Sequence, residues 1–119
     1  MKLEMDLVRE ILLFIEDSQK PLVNNDSINI EHFTKEVIDY HLKKMGEGKL
    51  IVYGSKVEIS STETLYLEIE LSFEGHQFIE SIKNNTFWNK LKSYVLSSGV
   101  GVTIFTLKTA IPIVAAKML

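Results

Sequence analysis

Apolar residues recur at helical spacing in the first part of the chain. They fall every three or four positions and predict a first helix from about Leu3 to Asp17: Leu3, Leu7, Ile11, Phe14 and Ile15. Pro21 and two asparagines end this helix, because both residue types favour turns. In the segment "SINIE" that follows, Ile28 and Ile30 alternate with polar residues, which predicts a short strand.

A second helix and a hairpin are predicted next. Thr34 is a suitable N-cap, and Gly46 and Gly48 end the helix. The apolar residues between them lie close to one helical face: Val37, Ile38, Leu42 and Met45. The segments "LIVYGSKVEIS" and "TLYLEIELS" are typical of two strands, joined by the polar tip "SSTET".

The second of these strands alternates strictly between apolar and polar positions. Its apolar residues are predicted to face the core and its tyrosine and glutamates to face water. The two sets are Leu65, Leu67, Ile69 and Leu71 against Tyr66, Glu68 and Glu70. That pattern is typical of a sheet with one solvated face.

Two helices are predicted after the hairpin. The first begins at Ser72 and Glu74, and Thr86 caps the second after the interruption "NNT". The inward-facing residues are Phe78 and Ile79 with Ile82 in the first helix, and Trp88, Leu91 and Val95 in the second.

The C-terminal segment is almost continuously apolar. Gly99 and Gly101 form a hinge, and a helix over residues 102–119 would be about 27 Å long. Lys108 near its middle and Pro112 make a membrane span the minority interpretation. A helix that is apolar on most sides must be buried, so we expect homodimerisation through it, with packing inside the chain as the alternative. The expected dimer contacts are Ile104, Leu107, Ile111, Val114 and Met118.

The order of the elements predicts the fold class. A helix, a short strand, a second helix, a hairpin and further helices give an α+β fold. A helix followed directly by an antiparallel hairpin is the core of a winged helix-turn-helix. We therefore predict a winged-helix domain over residues 1–98, with a two-stranded wing hairpin. A C-terminal helical extension over residues 99–119 would pack on the chain or support dimerisation.

Three segments carry a resemblance to a known family: "MDLVREILLFIE", "VIDYHLKKMGEGKLI" and "LSFEGHQFIESIKNNTFWNKLK". The elements Glu74-Gly75-His76 and Trp88-Asn89-Lys90 are the most distinctive. Together the segments resemble a family of small, uncharacterised, YjcQ-like winged-helix proteins of Gram-positive bacteria, their phages and prophages. The resemblance implies a winged-helix fold and a mobile-element origin, and it implies no established activity.

The second helix is the candidate DNA reader. In a helix-turn-helix, exposed N-terminal residues of the second helix reach base edges in the major groove. The lysines of this helix could neutralise phosphates, whereas Glu36 and Asp39 would face a polyanion. The one arginine of the chain, Arg9, is on the first helix. The candidate DNA-binding residues, with one from the wing, are Lys35, Glu36, Asp39, Tyr40, Lys43, Lys44 and Lys56.

The charge balance weighs against nucleic acid. The formal net charge is -3, and the wing sets Lys56 against Glu58 and Glu63, while Glu68 and Glu70 line the second strand. This surface suits a basic partner better than phosphates. The sequence predicts a phage- or prophage-derived winged-helix transcriptional regulator that binds double-stranded DNA as a homodimer. The alternative is a protein-interaction module, a host-directed or anti-defence factor that binds a host protein without DNA.

No feature of the sequence predicts an enzyme or a cofactor. Cysteine is absent, which excludes disulfides, thiolate zinc sites and a cysteine nucleophile and fits a reducing, cytoplasmic location. The N-terminus lacks the apolar run of a signal peptide. The three histidines have no metal-binding spacing, and His41 and His76 are predicted to be half-buried. With no nucleophile elbow and no Gly-rich phosphate loop, we predict no catalysis, no metal and no cofactor.

Overall fold

The computed structural model describes the whole chain, residues 1–119. Five α-helices and one three-stranded sheet confirm the α+β class. In chain order the elements are α1 (Met5–Glu16), β1 (Leu22–Asn24), a 3₁₀ turn (Asn25–Ser27), α2 (Lys35–Glu47), β2 (Ile51–Glu58), β3 (Thr64–Leu71), α3 (Phe73–Ile82), α4 (Asn85–Ser97) and α5 (Ile104–Lys117). The chain forms two units, which we call the N-terminal unit (residues 1–77) and the C-terminal unit (residues 78–119).

The N-terminal unit is built on an antiparallel sheet. β2 and β3 pair as a hairpin, with Ile51 opposite Leu71 and Glu58 opposite Thr64. β1 pairs with the other edge of β3, which gives the strand order β1-β3-β2. α1 packs on β3 and α2, and α2 packs on β2, so both helices and the sheet share one core. Burying each of its large aliphatic side chains stabilises the fold by roughly 1.5–3 kcal/mol. The most deeply buried include Leu7, Ile11, Leu12, Leu42, Leu50 and Ile69.

The short strand lies upstream of its predicted position. No strand forms over Ile28 and Ile30; instead β1 follows Pro21 directly, and Ile28 is buried as a loop residue. The reason is local, because the Asn24 side chain accepts a hydrogen bond from the Asp26 N–H at 2.8 Å and caps the 3₁₀ turn. That turn takes the chain away from the sheet edge before Ile28.

The alternation of β3 breaks in the middle of the strand. Tyr66, predicted to face water, is 6% exposed, whereas Leu65 and Leu67 are half-exposed. Glu68 adopts a left-handed backbone with φ 56°, which interrupts the regular reversal of side chains along a strand. Ile69 and the residues after it follow the predicted pattern.

Helix ends agree with the sequence in part. Thr34 caps α2 as predicted, with its Oγ1 accepting from the Val37 N–H at 3.3 Å. The helix continues through Gly46 to Glu47 with Gly48 as its C-cap, so the predicted end at Gly48 is confirmed and the predicted stop at Gly46 is wrong. α4 is capped by Asn84 rather than Thr86, through a 2.9 Å hydrogen bond from the Phe87 N–H.

The junction between β3 and α3 requires a glycine. The Ser72 hydroxyl accepts a hydrogen bond from the Gly75 N–H at 2.9 Å, and the Ser72 N–H donates to the Leu50 carbonyl at 3.0 Å. These bonds bring the first turn of α3 so close to Leu50 that a Cβ on Gly75 would lie 2.0 Å from the Leu50 carbonyl oxygen. Only glycine fits there without movement of the backbone.

The C-terminal unit contains α4 and α5 packed together. The inward-facing residues predicted for α4 are all buried, and α5 buries a narrower stripe. The buried residues are Trp88, Leu91 and Val95 in α4 and Leu107, Ala110 and Val114 in α5. A capping box between Thr103 and Thr106 starts α5, and Pro112 lies inside it. None of the helices has both the length and the apolar character needed to cross a membrane.

Candidate functional site

A groove with a volume of about 850 Å³ lies between α2 and the tip of the β2–β3 hairpin. We call it the α2–hairpin groove. One wall is the exposed side of α2, and the other is the tip, residues 61–64, with Tyr66 below it. Five of the seven predicted DNA-binding residues line this groove: Lys35, Glu36, Asp39, Tyr40 and Lys43. Lys44 and Lys56 do not line it.

The hairpin tip is held by its own backbone. The Ile59 and Ser60 N–H groups donate to the Glu63 carbonyl at 2.9 and 3.2 Å, and the Glu63 N–H donates back to the Ser60 carbonyl at 3.4 Å. The Ser60 hydroxyl also accepts from the Thr62 N–H at 3.3 Å. The polar residues of "SSTET" therefore form a tight turn, which places the Glu63 side chain beside α2.

A buried asparagine fixes the floor of the groove. Asn25 is 1% exposed and accepts a hydrogen bond from the Tyr66 N–H at 2.8 Å. Its Nδ2 donates to Asp39 Oδ1 at 2.9 Å and to the Thr64 carbonyl at 3.3 Å. One side chain thus ties the 3₁₀ turn to α2 and to β3. Asp39, one of the candidate DNA-binding residues, accepts one of these hydrogen bonds and so helps to hold the groove together.

Two of the three lysines of α2 are paired with carboxylates. Lys35 forms ion pairs with Asp26 and with Asp39, the latter at 3.1 Å. Burial alone lowers the pKa of Lys35, but the hydrogen bonds to Asp26 and Asp39 outweigh it, and its pKa is raised. Lys44 pairs with Glu47 at 3.2 Å. Lys43 is exposed and is the lysine of α2 without an acidic partner.

Tyr66 is the second titratable group that the groove perturbs. Burial raises the pKa of its phenol above the ordinary range, and nearby Tyr53 and acidic side chains including Asp39 raise it further. The two phenol rings stand with their centroids 4.8 Å apart. Tyr66 therefore remains neutral at the bottom of an acidic groove.

The two units carry opposite net charges. The N-terminal unit contains eight lysines and arginines against fifteen acidic residues, a net charge of -7. The C-terminal unit contains five lysines against one acidic residue, Glu80, a net charge of +4. These values add to the -3 of the whole chain. The α2–hairpin groove thus belongs to a strongly acidic surface, which repels phosphate groups.

The sequence matches the family model described as "Hypothetical protein (DUF2513)" over residues 2–101. The chain belongs to this family. An uncharacterised protein of Haemophilus influenzae is 28% identical over 120 residues, an alignment that covers 100% of this chain and 99% of that protein. No solved structure matches the chain. Family membership supports the predicted relation to proteins of unknown function, while the Gram-positive, phage and YjcQ-like associations stay predictions.

The histidines of this DUF2513 chain differ from their predicted environments. His41 is completely buried rather than half-buried, and His76 is exposed. The Nε2 of His41 accepts a hydrogen bond from the Glu4 N–H at 2.9 Å, so its Nδ1 carries the proton and donates to the Val37 carbonyl at 2.8 Å. His41 therefore joins the start of α1 to α2. No group of three or more metal-ligating side chains is close enough to hold an ion.

The residues predicted at a dimer contact are divided between the interior and the surface. Leu107 and Val114 are buried in the chain itself, and Ile104 and Ile111 are half-buried. Met118 is exposed. Leu107 and Val114 would have to leave their present packing to touch a second copy. The most exposed large apolar side chain within α5 is one the sequence did not single out, Phe105, at 78% exposure.

Two residues that line or support the groove, Tyr66 and Asn25, had no clear signal in the sequence. Asn25 is typical of a turn, and nothing in the pattern indicates its three long-range hydrogen bonds. Tyr66 occupies a position that the alternation assigns to water. The ion pair between Lys35 and Asp39 could be predicted from the sequence, because the two residues are four positions apart on one helix.

Proposed function

We propose that the N-terminal unit is a winged-helix module. The order α1, β1, α2, β2, β3 and the sheet order β1-β3-β2 support this assignment, with the β2–β3 hairpin as the wing. A helix-turn-helix has a full helix before its recognition helix. Here the corresponding segment is a 3₁₀ turn of three residues, Asn25–Ser27, fixed to α2 by Asn25.

We further propose that the α2–hairpin groove binds a basic segment of a protein partner. The observation that carries this proposal is the neutralisation of the helix that would read DNA. Two of its three lysines are already paired with carboxylates, and Glu36 and Glu63 line the groove. A partner lysine or arginine would meet these carboxylates.

Phosphate binding is the weaker fit for this surface. Affinity for DNA comes largely from lysines and arginines that release counterions from phosphates. Lys43 on α2 and Lys56 on β2 are exposed and without acidic partners. Two such cations on a unit with a net charge of -7 supply few of the roughly 6–10 phosphate contacts of a strong binder.

A DNA-binding transcriptional regulator is the second candidate function. It is favoured by one observation, that α2 leads directly into the hairpin and presents an exposed side with Lys43 on it. In that case Lys43 and Lys44 would contact phosphates. In the first candidate the protein acts on a host protein, as a phage- or prophage-derived factor could.

The groove is tested by titrating isotopically labelled protein with a short peptide of alternating lysine and leucine and following backbone amide resonances. We expect shifts concentrated at groove residues such as Lys43 and Glu63. The variant Glu36→Lys/Glu63→Lys should weaken binding roughly tenfold, because two attractive charges become repulsive. The matched control Glu58→Lys/Glu70→Lys has the same net charge but alters residues outside the groove. Equal weakening in both variants would reject a defined site.

We also propose that the chain forms a homodimer through the exposed side of α5. The side chains that support this are Phe105 and Ile113, which are apolar and exposed. The variant Phe105→Glu should then have the mass of one chain by light scattering. The control Leu96→Glu, at an exposed apolar position on α4, should retain the mass of two. A wild-type mass of one chain would reject the dimer.

A further inference from the structure

A second groove, with a volume of about 530 Å³, lies between α4 and α5 of the C-terminal unit. We call it the α4–α5 groove. Lys90 and Lys117 stand at its edges, and Tyr94, Val114 and Met118 supply apolar surface. The remaining lining residues are Asn89 and two serines, so no acidic side chain borders it.

The charges of this groove are not neutralised inside the unit. Glu80, the one acidic residue of the C-terminal unit, lies 2.9 Å from Lys83 and does not line the groove. Lys90 is exposed and has no acidic partner. Two full positive charges therefore flank an apolar strip on a surface of net charge +4.

An aromatic ring positions one of the two ammonium groups. Lys117 Nζ lies 4.6 Å from the centroid of the Tyr94 ring, a cation–π contact. Such a contact orients the ammonium group without removing its charge, unlike a carboxylate partner. It also occupies a face of Tyr94, the one aromatic ring of the groove, on which a nucleobase would otherwise stack.

We propose that the α4–α5 groove binds an acidic peptide segment in which carboxylates flank apolar side chains. The carboxylates would pair with Lys90 and Lys117, and the apolar side chains would cover Val114 and Met118. Charge complementarity favours an anionic ligand. The apolar surface, together with the Tyr94 ring that Lys117 already covers, favours a peptide over a nucleic acid. This site is independent of the α2–hairpin groove and is opposite to it in charge.

The test is a titration of the full-length labelled protein with a short acetylated peptide in which glutamates flank leucines. We expect amide shifts at Lys90, Tyr94 and Lys117, and we expect the same peptide with glutamine in place of glutamate to bind at least roughly tenfold more weakly. Equal binding of the glutamine peptide would overturn the proposal. So would perturbation of these residues by a single-stranded oligonucleotide but not by the glutamate peptide.

Charge-matched variants separate a defined site from general attraction. Lys90→Glu/Lys117→Glu should weaken binding of the glutamate peptide at least roughly tenfold, whereas Lys92→Glu/Lys108→Glu, with the same net charge, should weaken it less than about threefold. Lys92 and Lys108 lie outside the groove. If the double variant in the groove fails to fold, Lys90→Gln alone changes an exposed side chain and should still weaken binding. An equal loss in the groove and control variants would overturn the site.

Discussion

The lysines of the two units differ in the side chains that surround them. In the N-terminal unit, lysines pair with carboxylates: Lys35 with Asp26 and Asp39, and Lys44 with Glu47. In the C-terminal unit, Lys83 pairs with Glu80. Three further lysines of this unit lie over aromatic rings: Lys92 over Trp88 at 5.4 Å, Lys108 over Phe78 at 5.9 Å and Lys117 over Tyr94 at 4.6 Å. A carboxylate cancels the field of a lysine, whereas a ring holds the ammonium group and leaves its charge available to a partner.

This difference changes what the net charge of the chain means. A value of -3 describes a mildly acidic protein, but it is the sum of a unit at -7 and a unit at +4. A count of the lysines on α2 favours DNA, whereas their pairing with carboxylates is the basis of our proposal of a protein partner. Whether each lysine is paired with a carboxylate, rather than the number of lysines, determines which partner a surface favours.

The largest loss of stability is expected from a substitution at Gly75 in the N-terminal unit. Gly75→Ala places a Cβ against the Leu50 carbonyl oxygen and should lower the free energy of unfolding by roughly 3 kcal/mol, the upper part of the range for overpacking. Urea denaturation measures this change. Gly101→Ala is the control, because nothing lies within 4 Å of its added Cβ, and it should change stability by less than about 0.5 kcal/mol. Similar stability of the two variants would contradict the close approach of α3 to Leu50.

The next largest loss of stability is expected from removing the Asn25 side chain, which holds Asp39. Asn25→Ala removes three hydrogen bonds and leaves buried partners unsatisfied, so it should destabilise the N-terminal unit by roughly 2–3 kcal/mol. Asn29→Ala, at an exposed asparagine nearby, should be nearly neutral. Thermal unfolding followed by circular dichroism compares the two. Equal melting temperatures would show that the Asn25 network does not hold the groove.

The smallest effect is a loss of stability at alkaline pH. The pKa of Tyr66 and that of Lys35 are both raised in the folded chain, so both contributions are fully present below their unfolded pKa values. They are lost as pH rises above about 10 and through the raised values. Urea denaturation between neutral and strongly alkaline pH should show this decline. It should be shallower in Tyr66→Phe, which has no phenol to titrate, and an identical decline would contradict the raised pKa of Tyr66.

Much of the N-terminal unit could be predicted from short-range patterns. The Thr34 cap, the apolar face of α2 and the pairing of two strands depend on residues near one another in the chain, and all are present. The position of β1 depended on a single side-chain cap at Asn24, which competes with the weak alternation of Ile28 and Ile30. Local capping decided the outcome there.

The candidate site was less predictable, because it depends on contacts distant in sequence. Spacing could indicate the pairs Lys35–Asp39 and Lys44–Glu47, but not the approach of Asp26 to Lys35 or of Asn25 to Asp39. The burial of Tyr66 depends on the left-handed backbone conformation of Glu68, which the alternating pattern of the strand did not predict. Five of the seven candidate residues therefore line one groove, as their common position on α2 allows, but their pairing with distant side chains could not be predicted from spacing.

The most direct test of the central claim is the affinity for a fluorescent duplex of mixed sequence at low salt, measured by anisotropy for the wild type and for Lys43→Glu/Lys44→Glu. If α2 faces a protein partner, the two proteins should bind the duplex equally weakly, because any attraction arises from residues outside α2. A wild-type affinity that falls steeply with salt and is reduced roughly tenfold or more by the substitutions would contradict the account and assign α2 to DNA.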